Sequence, residues 1–118
     1  MSDDFIEINK QITDNIKELI RAKNTLAVRV EDKANALGRY EKKIAEIMLK
    51  MRNTGEYEGN KYNVTGGLEK VAKGLAYEES IALSLAEDKL KNVYYVLNVH
   101  ETIINALQSK LKYLKYEE

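Results

Sequence analysis

From residue 12 onward the chain places its apolar side chains at alternating intervals of four and three. The series runs Ile12, Ile16, Leu19, Lys23, Leu26, Val30, Lys33, Leu37, Tyr40, Ile44, Ile47 and Met51, ten of twelve positions apolar, with Lys23 and Lys33 as interruptions. An alternation held over about five heptads is the 3.5-residue repeat of a coiled-coil seam, not the broader stripe of a short globular helix. It predicts one helix over about residues 4–52, on the order of 70 Å long at 1.5 Å per residue. Ser2 or Asp3 can cap its start, and Asp3, Asp4 and Glu7 complement the positive end of the macrodipole. Lys50 and Arg52 complement the other end, and Asn53-Thr54-Gly55 stops the helix. At Lys23 and Lys33 the stems pack while the charges reach outward, or the seam opens there to an acidic partner.

The last third passes the same test, with Leu83, Ala86, Leu90, Val93, Leu97, His100, Ile104, Leu107, Leu111 and Leu114 spaced by three and four; nine of the ten are apolar. Beside this seam lies a second row, Ala82, Leu85, Val96, Val99, Ile103, Ala106 and Tyr113, interrupted by Lys89, Asn92 and Lys110. One antiparallel partner covers one seam, so the extra width calls for another helix or another subunit.

Five of the six glycines fall between residues 55 and 74. There, Glu56 to Val64 reads as a small hairpin turning at Gly59-Asn60, with Glu58 opposite Lys61 and Tyr57 opposite Tyr62. Thr65 can cap a short helix from about Leu68 to Lys73 that ends at Gly74. The fold class these elements predict is all-α: two long antiparallel coiled-coil helices forming a helical hairpin, with a short helix and a small β-hairpin at the bend. The expected organisation is a single domain over 1–118, its long helices at about 4–52 and 76–115 and its bend at 53–74. Two long helices sharing one seam bury too little to stand comfortably alone, so the partner expected first is the chain itself, as a dimer or a higher bundle.

Composition narrows the chemistry. The 118 residues include 19 Lys plus Arg, 19 Asp plus Glu, one His, eight Tyr and one Phe, with no Cys, Pro or Trp. Without cysteine there are no disulfides, thiolate metal sites or cysteine nucleophiles. Absent proline agrees with long unbroken helices, whose interiors reject it at about 3 kcal/mol. Balanced charge argues against a surface devoted to nucleic acid or an anionic membrane. The acidic Met1-Ser2-Asp3-Asp4 start differs from a secretion signal, and no stretch nears the roughly 20 apolar residues of a membrane span, so the expectation is a cytoplasmic protein with no membrane partner.

His100-Glu101-Thr102-Ile103-Ile104 begins like the H-E-x-x-H of zinc proteases, but Ile104 stands where the second imidazole belongs. Neighbouring carboxylates such as Glu78/Glu79 and Glu87/Asp88 point about 100 degrees apart on a helix and do not converge on one proton or metal. The sequence therefore predicts no enzyme, no metal and no cofactor. His100 breaks the C-terminal seam. It is expected to lie partly buried and hydrogen-bonded to the facing helix; the sharper alternative is a pH-sensitive residue whose protonation between about pH 5 and 7 costs the seam stability. Basic and aromatic residues mingle at Tyr40, Lys42, Lys43, Tyr57, Lys61, Tyr62 and Lys73, and again where Lys110, Lys112 and Lys115 flank Tyr113 and Tyr116. Phosphate contact with base stacking would use such a mixture on single-stranded nucleic acid. The macrodipole accounts for the basic residues in the last turns, and rings that pack by one edge and stay wet at the other suit a protein interface better.

Tyr40, Lys42 and Lys43 on a long helix, a Val64-Thr65 turn, Leu68 through Lys73-Gly74, and a helix with Leu90-Lys91, Glu101 to Ala106 and Leu107 to Lys112 together resemble a family of small helical phage and prophage proteins of Gram-positive bacteria. Such proteins are encoded in the early region, near replication and recombination genes. The similarity covers about residues 37–115, and the chain departs from the family pattern at Leu75, where an acidic residue is expected after Lys-Gly. The resemblance implies phage origin, hence host bacterial cytoplasm, and a genomic context; it implies no mechanism and no site residues. The function expected is a non-enzymatic phage accessory that oligomerises through its helices and binds or modulates a host or phage protein, in replication or antiviral defence. The alternative is a replication or recombination accessory that touches single-stranded nucleic acid.

Overall fold

The computed structural model describes residues 3–62 and 66–117, with side chains through residue 115. The expected Ser2 and Thr65 caps and the Val64-Thr65 turn lie outside the described residues, as does the side chain of Tyr116. The elements follow in the order α1 (Asp3–Thr54), β1 (Glu56–Tyr57), β2 (Asn60–Lys61), α2 (Leu68–Leu75) and α3 (Tyr77–Glu117). This is the expected all-α hairpin of two long helices, with a short helix and a two-stranded ribbon between them. Among the described residues, no helix is long and apolar enough to cross a membrane.

Two compact units divide the chain, one formed by Met1–Arg29 with Lys89–Glu118 and the other by Val30–Asp88. In the first unit the start of α1 and the end of α3 run antiparallel, with Asn15 of one meeting His100 of the other. Ile8, Ala22, Val93 and Ile104 are buried there. The α3 seam is the expected one: Leu90, Val93, Leu97, His100, Ile104, Leu107, Leu111 and Leu114 are all buried or half-buried.

The α1 seam differs from expectation at four of its twelve positions, Ile16, Lys23, Val30 and Leu37, which are exposed. Ile12, Leu19 and Leu26 turn inward as expected, but they are interleaved with Ile8, Asn15 and Ala22, whereas Ile16 and Lys23 are exposed. The same one-residue offset recurs in the second unit, where Ala36 is 2% exposed and Val30 and Leu37 are 47% and 40% exposed. Both sets flank the same central row at helical spacing, so spacing alone does not choose between them. Alanine at 22 and 36 presents the smallest side chain and lets a neighbouring backbone approach, and Asn15 finds a polar partner across the seam.

In the second unit the core is Ile47, Met51, Tyr57, Ala72 and Ala76, packed round by Tyr40, Ile44, Met48, Tyr62, Leu68, Val71 and Leu75. Gly55, at φ +72°, ends α1 in the left-handed conformation that glycine adopts freely, and its amide donates to the Met51 carbonyl at 2.8 Å. The Thr54 hydroxyl donates to the Lys50 carbonyl at 2.8 Å, satisfying another terminal acceptor.

The ribbon is present, but its turn comes one residue earlier than expected, which moves each residue's partner by two. Glu56 pairs with Lys61 and Tyr57 with Asn60, so the turn is Glu58-Gly59. Both turn residues have positive φ, 51° and 79°, which is the backbone of a type I′ hairpin with glycine second. This register sends Tyr57 into the core. Helix α2 also runs past the expected stop: Gly74 lies inside it, and the break comes at Ala76, whose amide donates to the Ala72 carbonyl. Gly74 has no positive φ, and both Ala72 and Ala76 are fully buried, so packing, not glycine, places this junction.

Candidate functional site

The residues singled out at the bend gather in the second unit. Lys43 and Lys50 stand seven residues apart on one face of α1, and their ammonium groups lie 5.8 and 5.7 Å from the centroid of the Tyr57 ring. Such distances are those of cation–π attraction, here between two lysines and one ring that is itself only 6% exposed. Hydrogen bonding to, and electrostatic interaction with, the Tyr57 side chain raise the pKa of Lys43 above 10.5; Glu79 and Glu46 add to the effect, and desolvation opposes it. Lys43 therefore holds its charge throughout the neutral range.

Beside this cluster is a cleft of about 160 Å³ lined by Lys43, Tyr57, Glu58, Leu75, Tyr77, Glu78 and Glu79. One ammonium faces three carboxylates here, a mixed-charge surface suited to polar protein contacts. Among the described residues, no group of three or more His, Asp or Glu side chains is placed to hold a metal ion.

The other candidates divide between core and surface. Tyr40 and Tyr62 are half-buried against the same core as Tyr57, so three of the bend's aromatic rings serve packing. Lys42 and Lys61 are exposed. Lys73 is exposed and paired with Glu69 one helical turn earlier, Nζ to Oε1 at 3.1 Å. A second shallow groove, lined by Leu37, Tyr40, Glu41, Ile44, Glu69 and Lys73, runs alongside this pair.

In the first unit Tyr113 is 63% exposed near the end of α3. His100 is half-buried, and its Nδ1 lies 2.8 Å from Oδ1 of Asn15. With an amide oxygen as the partner, Nδ1 carries the proton and donates. The lone histidine thus has the partner on the facing helix that its seam position called for. Asn15 lies off the spacing from Ile12 to Met51, which points Ile16 inward; counting from Ile8 in steps of seven reaches it. Lys50 complements the macrodipole by its place near the helix end, and its seven-residue interval from Lys43 puts both on one face.

Comparison of the chain with family models, with curated proteins and with solved structures finds no match.

Proposed function

We propose that this chain is a non-enzymatic phage accessory protein that associates with itself through its long helices and binds or modulates a host or phage protein. The observation that carries the binding reading is the pair of large apolar side chains left exposed on α1 beside a seam already filled, Ile16 and Ile20 at 40% and 53%. Apolar positions at heptad spacing that face solvent belong to interfaces more readily than to a finished monomer surface. Phage origin, and with it a target in replication or antiviral defence, rests on the resemblance of residues 37–115 alone.

Burial of Tyr57, and half-burial of Tyr40 and Tyr62, supports a protein partner over single-stranded nucleic acid, because a ring packed in the core offers no open face for a base. Two measurements test the reading. Affinity capture from host lysate, wild type against Ile16→Lys/Ile20→Lys, is expected to recover a protein that the variant loses. Fluorescence anisotropy with an oligonucleotide at two salt concentrations is expected to give no saturable, steeply salt-dependent binding; such binding would favour the nucleic-acid accessory instead.

A further inference from the structure

We infer that the outer row of α3 in the first unit, centred on Val96, Val99, Ile103 and Ala106, is an antiparallel contact with the same row of a second copy. This deepens the self-association proposed above and rests on it. The row is Lys89, Asn92, Val96, Val99, Ile103, Ala106, Lys110 and Tyr113, spaced by three and four throughout. It lies about 100 degrees round α3 from the seam that α1 covers. Val96 and Val99 are half-buried, while Ile103 and Ala106 are exposed, so apolar surface remains open along its middle.

The polarity of the row reads the same from either end: two polar positions, four apolar ones, then Lys110 and the hydroxyl-bearing Tyr113. An isologous contact needs a patch that complements itself, and this one does so only when the second copy runs antiparallel. Val99 then meets Ile103 of the second copy, and Val96 meets its Ala106. At the ends Lys110 meets Asn92, an amide whose oxygen accepts, and Lys89 meets Tyr113, a ring that takes an ammonium on its face. A parallel copy would set Lys89 on Lys89 and Lys110 on Lys110, placing like charges in both outer layers. The exposed row on α1 in this unit is shorter, with only Ile16 and Ile20 between the polar Thr13 and Lys23.

Because the chain has no cysteine, the contact can be read by cross-linking. Two full-length chains of different tag length, one Val99→Cys and the other Ile103→Cys, are mixed, oxidised and resolved by mass. The mixed disulfide dimer is expected to exceed either symmetric dimer several-fold. In sedimentation velocity the unmodified chain is expected as a dimer, and Ile103→Lys, with its helical circular dichroism retained, is expected to weaken association at least about tenfold by burying an unpaired charge. Ala106→Glu serves the same purpose if Ile103→Lys fails to fold. Symmetric 99–99 and 103–103 dimers, or a dimer indifferent to both charge substitutions, would overturn this contact and leave self-association standing. A wild-type chain that sediments as a monomer would overturn both.

Discussion

The hydrogen bond between Asn15 and His100 crosses the seam in the first unit, and its worth is measurable as a coupling. Removing Asn15 with Asn15→Ala leaves the His100 Nδ1–H half-buried without its acceptor 2.8 Å away. Full burial of an orphaned donor costs about 1–3 kcal/mol, and half-burial lets water take the vacated place, so the lower end of about 1 kcal/mol is expected. His100→Ala loses the same bond together with the packing of the ring. The double variant loses the bond only once. Its destabilisation is therefore expected to fall short of the sum of the two single effects by about 0.5–1.5 kcal/mol, the net worth of one such bond. An unfolding entropy of about 2.1 cal/mol/K per residue gives about 0.25 kcal/mol/K for 118 residues, so the coupling should appear as about 2–6 °C of non-additivity in Tm. Thermal unfolding of the four proteins by far-ultraviolet circular dichroism reads it, at one fixed protein concentration because self-association adds to apparent stability. Effects that add to within about 0.3 kcal/mol would refute the reasoning and show the bond to be replaceable by water at no cost.

Further outcomes follow from the second unit. Ile47, with no exposed surface, is expected to cost about 2–5 kcal/mol on truncation in Ile47→Ala, read as a lower urea midpoint at unchanged slope. Tyr57→Leu keeps an apolar side chain in the core but removes the ring shared by Lys43 and Lys50, and is expected to lower the urea midpoint, with Lys43→Met and Lys50→Met each lowering it by less. The raised pKa of Lys43 means that its contribution is whole below the ordinary value of 10.5 and is lost as pH climbs through the higher folded value; Lys43→Met should flatten that alkaline decline, and an identical profile would discount it. Gly55→Ala forces a side chain into the left-handed region and should cost about 1–2 kcal/mol, whereas Gly74→Ala lies within α2, where an added Cβ meets nothing within 4 Å, and should stabilise by about 0.5–1 kcal/mol.

Heptad spacing and glycine placement determined, from the sequence alone, two long helices with one bend and the inward row of α3 from Leu90 to Leu114. Periodicity reaches that far because a helix fixes the angle between its own residues. It does not fix which of two adjacent rows meets a neighbour. Tertiary packing made that choice in α1, bringing Ala22, Ala36 and Asn15 inward and leaving Ile16, Val30 and Leu37 in solvent, since close backbone approach and a satisfied amide depend on what lies across the seam. The ribbon register was decided likewise: a Gly59-Asn60 turn and a Glu58-Gly59 turn both suit the local sequence, and the second buries Tyr57 between two lysines and the core. The bend residues that looked like a surface platform were legible as a cluster but not as a core. A tyrosine's exposure is a property of its neighbours, and in Tyr40, Tyr57 and Tyr62 those neighbours come from α1 and α2, up to about thirty residues apart along the chain.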